Sequence, residues 1–588
     1  MRSKLVRRTL PLLAAALAAA FSLLPGAAGA GTTGRGSAPA ERPAGPTAGG
    51  GPLRARITGA AIHGTGAQPT AAAATSRLPS KKDQIKVLTA VLKNMHTNYA
   101  KFADFTPGPA DIFDYNIGSL WRRGIDGAGT TIALLEGWDF PKIRSEVAQF
   151  DQVFGLPDPN IKTIFPNGKL PAKCPHGMVI LGSYGSCSAW QGELTLDVIT
   201  AHLIAPYAKI VISATPADSE ITGDPASNVA MPEMMKALER IGQQHLANVI
   251  SISDGTGETT YSSGQAEITA QNPGELAAAA AGIPVLVGTG DCGVVQNLAV
   301  ANAQCTNVSA TPDTAAWDDS PWVTAVGGSV PNVNGAGKKA GPDPLWHAGI
   351  FSEGAGYSSV FARPAYQTGV KRITRSPMRS VPDITMDAQD GTSESTPMLA
   401  GVLALATQVN HANVGPINPA LYQVLGPRGA KAGIADVVSG NNSAENDSGQ
   451  VTVPGFTASK GFDVASGWGT INAAKFVPNL VAATKASHQA RAARKQALAA
   501  LTGLRHSMRL SATRVPGGGT SYLLGSGFLP SHPVTLAIDG KAIATLTANT
   551  LGAVTYMIDP AGLKLPAGRH TVTLTGMLLT QTAHFRSS

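Results

Sequence analysis

Short apolar runs alternate with amphipathic helical stretches through the middle of the chain. Each run is rich in Val or Ile, and the five clearest cover residues 130–135, 209–213, 248–253, 283–287 and 323–326. Helical patterns such as 232–241 and 275–281 lie between them. Buried parallel strands joined by crossover helices have this pattern. We therefore predict an α/β domain, with a parallel sheet covered on both faces, over residues 105–480.

The N-terminal region has the pattern of an export signal followed by a polar segment. Basic residues precede an apolar run at 10–24, and small residues at 28–30 form a cleavage site, so residues 1–30 are predicted to be a secretory signal peptide. Residues 31–104 are predicted to be disordered, apart from a short prosegment-like helix that Ser80 and Asp83 cap. We expect a secreted protein with no membrane contact after signal cleavage.

The C-terminal region changes pattern twice. Residues 481–507 are rich in Ala, Lys and Arg and are predicted to form an exposed helical linker. Residues 508–588 contain short β-rich runs separated by Gly, Pro and Asp, which predict an immunoglobulin-like β-sandwich. Because this part contains no credible catalytic constellation, binding or spacing is its expected role.

Composition excludes some functions and indicates an oxidising compartment. The net charge of +8 is spread along the chain without a basic block interleaved with aromatics, so we expect no nucleic-acid partner. Four cysteines suit an exported protein, and their short separations suggest the pairs Cys174–Cys187 and Cys292–Cys305, although sequence leaves the connectivity open. A zinc site is the less favoured alternative because no close Cys-x-x-Cys pair occurs.

Ser393 is the candidate nucleophile. The segment Gly391-Thr-Ser leads into an almost wholly apolar stretch with Pro397 near its start, which predicts a buried helix. The Ser393 hydroxyl would therefore lie where unpaired backbone N–H groups and the positive dipole end favour a nucleophile and an oxyanion. A capping serine without catalytic function is the alternative.

Carboxylates are better candidates than histidines for the base that a serine needs. Glu193 and Asp197 are four residues apart on one face of a predicted helix, where two carboxyls in a shared site would separate in pKa. A solvated acidic pair is the alternative interpretation. Asp291, after the strand at 283–287, could donate a hydrogen bond to an oxyanion if protonated, or could belong to an ordinary turn. A subtilisin with a histidine base, such as His202, is a further alternative.

The order of these motifs resembles the sedolisins, the serine-carboxyl peptidases. Glu-x-x-x-Asp comes first, Gly-Asp-x-Gly second and Gly-Thr-Ser-x-Ser-x-Pro last, and the segments 131–136, 320–328, 356–358 and 382–384 are similar to further family motifs. The resemblance implies a subtilisin-like, doubly wound parallel sheet. It also implies that Ser393 attacks the scissile carbonyl, Glu193 acts as base, Asp197 orients Glu193, Asp291 lines the oxyanion hole and Glu136 extends the carboxylate network.

The resemblance further implies an endopeptidase with an acidic optimum, acting on protein or peptide substrates, and we expect a monomer. It implies one calcium ion near the end of the catalytic domain, since an oxygen-only donor set suits calcium. The side chains of Asp436 and Asp463 and the carbonyls of Val437, Ser459 and Gly461 would bind it.

Four features depart from the family pattern. The chain has Ser253-Asp254-Gly255 where the family often has Ser-Trp-Gly, the segment between Asp383 and Gly391 is short, Glu394 follows the nucleophile directly, and no folded prodomain is evident. The alternative function is therefore a catalytically impaired, sedolisin-like secreted binding protein.

Overall fold

The computed structural model describes residues 78–170, 187–215, 231–261, 264–298, 305–503, 507–529, 532–549, 552–576 and 578–588. The predicted signal peptide, most of the segment 31–104, Cys174 and the side chain of Cys187 lie outside these ranges. No helix in the described part of the chain is long and apolar enough to cross a membrane.

A seven-stranded parallel sheet forms the centre of the molecule. Its strands, in chain order, are β1 Thr131–Glu136, β2 Asn160–Ile164, β3 Lys209–Ala214, β4 Val249–Ile252, β5 Val285–Gly288, β6 Thr324–Ser329 and β7 Ile384–Asp387. The strand order is β7-β6-β5-β4-β1-β3-β2, and every neighbouring pair is parallel. The predicted parallel α/β domain is thereby confirmed, with β2 and β7 as additions that the apolar pattern did not indicate.

Helices cover the sheet. The longer ones and one short N-terminal helix are α1 Lys81–Thr97, α2 Pro109–Asp114, α3 Ile143–Phe154, α4 Cys187–Ile204, α5 Met231–Gln244, α6 Pro273–Ala281, α7 Thr392–Asn410, α8 Ala473–Ala486 and α9 His488–Gly503. Helix α7 packs against α4, α8 and the strands β4, β5, β6 and β7. It is buried from Thr396 to Thr407 on all sides, as its apolar sequence predicts.

Short elements complete this part of the chain. Helical turns are Tyr99–Phe102, Gly118–Trp121, Glu258–Thr260, Gln265–Ala270, Ala365–Val370, Lys371–Thr374, Asn418–Ala420, Leu421–Leu425, Gly426–Arg428 and Gly429–Lys431. Two-stranded antiparallel ribbons pair His347–Ala348 with Phe351–Ser352, Gly356–Ala362 with Met378–Val381, Ile434–Ala435 with Thr470–Ile471, and Ala444–Glu445 with Val451–Val453.

The region predicted to be a linker is helical and packs on the α/β domain. The predicted boundary at residues 480 and 481 falls inside α8, and α9 lies against α6. Ala497 is completely buried with Leu276 and Ala279, and Arg494 Nε donates to the Ala280 carbonyl at 2.7 Å. This helix is therefore less exposed than its composition suggests.

The C-terminal region consists of two β-sheets that share one hydrophobic core. The strands are β8 Ser507–Leu510, β9 Arg514–Val515, β10 Ser521–Ser526, β11 Pro533–Ile538, β12 Lys541–Thr547, β13 Ala553–Ile558, β14 Gly568–Thr575 and β15 Thr580–Ser587. One sheet has the order β8-β10-β13 and the other β9-β15-β14-β11-β12. Leu523 and Val554 from the first sheet pack with Leu536, Val572 and Phe585 from the second.

Candidate active site

Three acidic residues lie at the carboxyl ends of adjacent strands. Glu136 is the last residue of β1, Asp254 follows β4, and Asp291 follows β5. These strands are neighbours in the order β5-β4-β1. The strand order changes at β1, because β3 lies on one side of it and β4 on the other. In open α/β sheets the crevice beyond the carboxyl ends at such a change is the usual ligand site. The fold therefore brings together carboxyls that are far apart in the sequence.

Helix α7, which carries the candidate nucleophile Ser393, begins at the same edge. Gly391 has φ 90°, a conformation that favours glycine, and a Cβ at this position would lie 2.8 Å from Asp291 Oδ2. Glycine thus permits both the turn and the close approach of Asp291. Ser393 is partly exposed, whereas the residues from Glu394 to Thr407 behind it are buried. The candidate nucleophile is the accessible residue at the start of a core helix.

The Ser393 side chain interacts with the carboxyl of Glu193 on α4. Burial raises the pKa of Glu193 to about 8; the interaction with Ser393 acts to lower it, and the charges of Asp291 and Asp254 add to the rise. Glu193 Oε1 is enclosed by protein. A serine hydroxyl beside a carboxyl of raised proton affinity is the arrangement that general-base activation requires.

Asp197 lies one helical turn beyond Glu193 and is completely buried. The Ser253 hydroxyl lies 3.0 and 2.9 Å from its two oxygens and 3.3 Å from the Ser393 carbonyl. That carbonyl lacks its usual helical donor because Pro397, four residues later, has no N–H. Burial and the charge of Glu193 raise the pKa of Asp197 well above its usual value. Ser253 thus connects Asp197 to the nucleophile's backbone, a role that sequence reasoning missed.

Two further carboxyls belong to this network. Glu136 is completely buried, and burial together with the charges of Asp197, Glu193 and Asp254 raises its pKa well above its usual value. Asp254, which stands where the family often has tryptophan, has its pKa raised to about 7 by burial, against the hydrogen bond from the Gly255 N–H. The departure at Asp254 therefore adds an ionisable group to the site.

Asp291 is held at the first residue of α7. Its Oδ1 accepts from the Thr392 N–H at 2.8 Å and from the Thr392 hydroxyl at 2.9 Å, while Oδ2 lies against Gly391. Completely buried Glu353 lies behind this loop, where it accepts from the Gly328 N–H and from Thr289 Oγ1 at 3.4 Å. Burial raises the pKa of Glu353 well above its usual value, and the charge of Asp291 contributes. No motif in the sequence indicates Glu353.

The disulfide next to Asp291 has the predicted pairing. Cys292 and Cys305 are joined, closing a loop with a sequence separation of 13. Because Cys292 directly follows Asp291, the cross-link limits the movement of the loop that carries this carboxyl.

The five residues predicted to bind calcium come together in one loop region. Asp436 Oδ2 accepts from the Gly461 N–H at 2.8 Å, and Asp463 Oδ2 accepts from the Ser459 N–H at 2.6 Å. Val437 is adjacent to Asp436 and completely buried. The available donors are carboxylate and carbonyl oxygens, a set that fits calcium.

His202 does not form an alternative centre with Ser393. His202 lies on the same helix as Glu193 but about 13 Å further along its axis. It is completely buried, with Nε2 3.1 Å from Asp151 Oδ1. This position argues against a subtilisin-type base at His202.

A Ser–His–Asp contact in the C-terminal region has a structural explanation. His570 Nδ1 lies 2.7 Å from Asp539 Oδ2, and Nε2 lies 2.9 Å from Ser587 Oγ and 2.8 Å from the Pro566 carbonyl. A carbonyl oxygen only accepts, so Nε2 carries a proton and cannot take one from Ser587. The group fastens the last strand rather than activating its serine.

Several known proteins are similar to this chain over part of its length. No family model matches the chain. Over 356 residues it is 27% identical to kumamolisin from Bacillus sp. (strain MN-32), covering 55% of this chain and 56% of that protein. It is 25% identical over 375 residues to sedolisin from Pseudomonas sp. (strain 101), covering 59% and 57%, and 30% identical over 263 residues to tripeptidyl-peptidase 1 from Homo sapiens, covering 39% and 42%. The chain thus spans about half the length of these relatives.

A solved structure shares the fold. Pseudomonas sedolisin, described as a serine-carboxyl proteinase complexed with two molecules of pseudo-iodotyrostatin, matches with a TM-score of 0.50 at 23% identity. The match covers 61% of this chain and 94% of that chain.

Proposed function

We propose that this chain, which belongs to the sedolisin family, is a secreted serine-carboxyl endopeptidase that hydrolyses peptide bonds at acidic pH. The observation that carries the proposal is the interaction of the Ser393 side chain with the Glu193 carboxyl at the start of α7. It favours an enzyme over the impaired binding protein, because an inactive scaffold has no need to keep a base on the serine.

The proposed reaction has two halves. The Ser393 hydroxyl attacks the scissile carbonyl while its proton passes to Glu193, and Glu193 then gives that proton to the leaving amine, which leaves an acyl-enzyme. Water attacks the ester in the second half, with Glu193 again taking the proton and returning it to Ser393. Asp197, held by Ser253, orients Glu193, and Glu136 extends the network.

Asp291 would supply the oxyanion donor. Its Oδ1 is engaged as an acceptor by Thr392, so a proton on the carboxyl would sit on Oδ2, which can donate to the negative oxygen at the start of α7. The positive end of the helix dipole acts in the same direction.

The carboxyls of the site would titrate together rather than singly. One negative charge resting on Glu193, with protons on Asp197, Glu136 and Asp291, is the state that the mechanism needs. Burial and mutual repulsion raise the pKa values of Asp197 and Glu136 and raise that of Glu193 to about 8. An acidic optimum therefore requires that the coupled carboxyls lose their first proton well below this value. The expected pH profile is a bell that rises with the first ionisation and falls with the next.

Calcium would be held by Asp436 and Asp463 with the carbonyls of Val437, Ser459 and Gly461. When bound, it would neutralise the two carboxylates and would link the segment at Asp436 and Val437 to the segment 459–463 near the end of the catalytic domain. We also propose that residues 508–588 form an immunoglobulin-like accessory domain, and that the secreted protein is a monomer acting on protein or peptide substrates.

The test is degradation of an unfolded protein between pH 3 and pH 8. We expect an acid-peaked activity that falls by at least about 10³-fold in Ser393→Ala and in Glu193→Gln. Ser395→Ala is the matched control, because it removes a serine from the same turn of α7 and should change activity only a few-fold. Equal, negligible activity in folded, calcium-loaded wild type and Ser393→Ala would instead support the binding protein.

A further inference from the structure

Three carboxylates that the proposed mechanism does not use form a buried group behind the nucleophile. Asp111 is on α2, Asp387 ends β7, and Glu394 follows Ser393 on α7. One carboxylate oxygen from each lies within 4.8 Å of the others, and all three side chains are completely buried. In the part of the chain that the structure describes, no other His, Cys, Asp or Glu residues form such a group.

The charges that act most strongly on this carboxylate group are themselves negative. Asp390 acts on Asp111, Asp111 acts on Asp387, and all three of these act on Glu394. Removing an ionised carboxylate from water costs several kcal/mol per ion, and neighbouring ionised carboxylates also repel one another. Either a proton, which the side-chain hydrogen bond between Asp111 and Asp387 would share, or a cation therefore lies in this group.

Backbone donors orient the group so that oxygens remain for a ligand. The Gly108 N–H donates to Asp111 Oδ2 at 2.8 Å, and the Asp390 N–H donates to Glu394 Oε2 at 2.9 Å. The second oxygens, Asp111 Oδ1 and Glu394 Oε1, are buried with no hydrogen-bond donor from the described residues. Asp111 and Glu394 are thus each fixed through one oxygen and present the other. Asp387 accepts at both oxygens from Gln389, from its N–H at 3.1 Å and from its side-chain amide at 3.1 Å.

Tyr115 provides a separate observation. Its side chain is completely buried, and its hydroxyl has no hydrogen-bond partner among the described residues. Among the charges acting on Tyr115, Asp387 is the strongest, and Asp111 also contributes. Asp343 and Asp114 act on Tyr115 more strongly than Asp111 does. A buried hydroxyl without a hydrogen bond has an unused lone pair for a ligand.

We propose that Asp111, Asp387 and Glu394 bind a divalent cation, calcium by preference, with the Tyr115 hydroxyl as a further oxygen donor. Oxygens on opposite sides of calcium at about 2.4 Å lie up to about 4.8 Å apart. Three oxygens that lie within 4.8 Å of one another can therefore reach one such ion. Magnesium is less suited because it binds at shorter distances and keeps several of its waters.

The cation would join three segments at the residue next to the nucleophile. Helix α2, the end of β7 and the first turn of α7 each contribute one carboxylate, so bound calcium would fix the start of α7. Binding itself depends only on these side chains, and the proposal stands whether or not Ser393 is a nucleophile.

Calcium counting at pH 7 tests the proposal. The protein would carry Ser393→Ala to prevent self-digestion, would be stripped with a chelator and would be equilibrated with radioactive calcium. Adding Glu394→Gln should reduce the bound calcium by one ion per chain. Glu275→Gln, a buried carboxyl outside both calcium sites, is the matched control and should leave the number unchanged. Asp463→Asn should remove the ion of the other site without affecting this one.

An unchanged calcium count in folded Glu394→Gln would overturn the proposal. If Glu394→Gln raised the melting temperature at pH 7 and left the number of bound calcium ions unchanged, protons alone would stabilise the three carboxylates. If Glu394→Gln does not fold, Asp387→Asn is the second variant. Loss of one calcium ion would then support the proposal, and an unchanged number of bound ions would overturn it.

Discussion

The Ser253 hydroxyl lies between the carboxyl of Asp197 and the backbone carbonyl of Ser393. It has one proton and lies near three acceptors, the two oxygens of Asp197 and the carbonyl of Ser393. The carbonyl is available because Pro397 cannot donate to it. Burial raises the pKa of Asp197, which favours a proton on that carboxyl. A protonated Asp197 can donate to Ser253, and Ser253 can then donate to the carbonyl. A short relay thus links the carboxyl pair to the backbone of the candidate nucleophile.

The charge of Asp254 can be tested through the pH dependence of activity. Its charge raises the pKa values of Glu193 and Glu136, so Asp254→Asn should lower both and move the activity profile to lower pH by roughly 0.5–1 unit. Initial rates from pH 3 to pH 8 would measure the shift. Exposed Asp447→Asn, the control, should leave the profile in place, and an unchanged profile in Asp254→Asn would remove Asp254 from the network.

At the scale of elements, the contact between α4 and α7 sets the distance between base and nucleophile. Helix α4 carries Glu193 and α7 carries Ser393. The two helices pack closely at Gly401, where a Cβ would lie 2.6 Å from the Ile204 Cβ. A glycine inside a helix is unfavourable by itself, so the close packing accounts for its presence here.

Gly401→Ala should therefore move the helices apart. We expect a loss of about 1–3 kcal/mol in the free energy of unfolding from overpacking, partly offset by about 1 kcal/mol of helix propensity. Activity should fall by about 10²-fold if the reacting groups move by about 1 Å. Denaturant unfolding and kcat would measure both effects.

Gly192→Ala is the matched control for stability, because this helical glycine has open space around its Cβ position. It should stabilise the protein by up to about 1 kcal/mol. If Gly401→Ala stabilised the protein by the same amount, the helix contact would not be as close as described.

At the scale of the whole molecule, buried carboxyls link stability to pH. Burial raises the pKa values of Asp111 and Asp313 to about 6, of Asp114 and Asp254 to about 7, and of Glu193 and Glu275 to about 8. Such groups bind more protons in the folded state than in the unfolded state. Their contribution to stability is present below about pH 4 and is lost as pH rises through about 6 to 8.

The melting temperature of the Ser393→Ala protein should therefore fall between pH 4 and pH 8. Glu275→Gln should reduce this fall, because Glu275 is completely buried and its Ser320 hydrogen bond only partly opposes the rise of its pKa. We expect an effect of a few kcal/mol on the pH-dependent part of stability. Calorimetry at both pH values, with Asp447→Asn as an exposed control, would measure it. A melting temperature that rises with pH would contradict the argument.

Five of the seven strands of the central sheet and the order of the candidate site residues could be predicted from the sequence. Strands β1, β3, β4, β5 and β6 could be predicted because buried parallel strands are nearly continuous apolar runs. Edge strand β2 reads Asn-Ile-Lys-Thr-Ile, and β15 reads Thr-Gln-Thr-Ala-His-Phe-Arg-Ser, so neither has such a run. The immunoglobulin-like class of the C-terminal sheets stays a prediction.

The tertiary structure alone decided which distant groups share one environment. Glu193, Asp197, Asp291 and Ser393 were indicated by motifs, but the roles of Ser253, Asp254 and Glu353 depend on strand ends meeting at one edge of the sheet. The carboxylates of Asp111, Asp387 and Glu394 are likewise brought together from three segments. Local pattern encodes which face of an element is buried, whereas a pKa or a binding site arises from groups that approach only when the chain has folded.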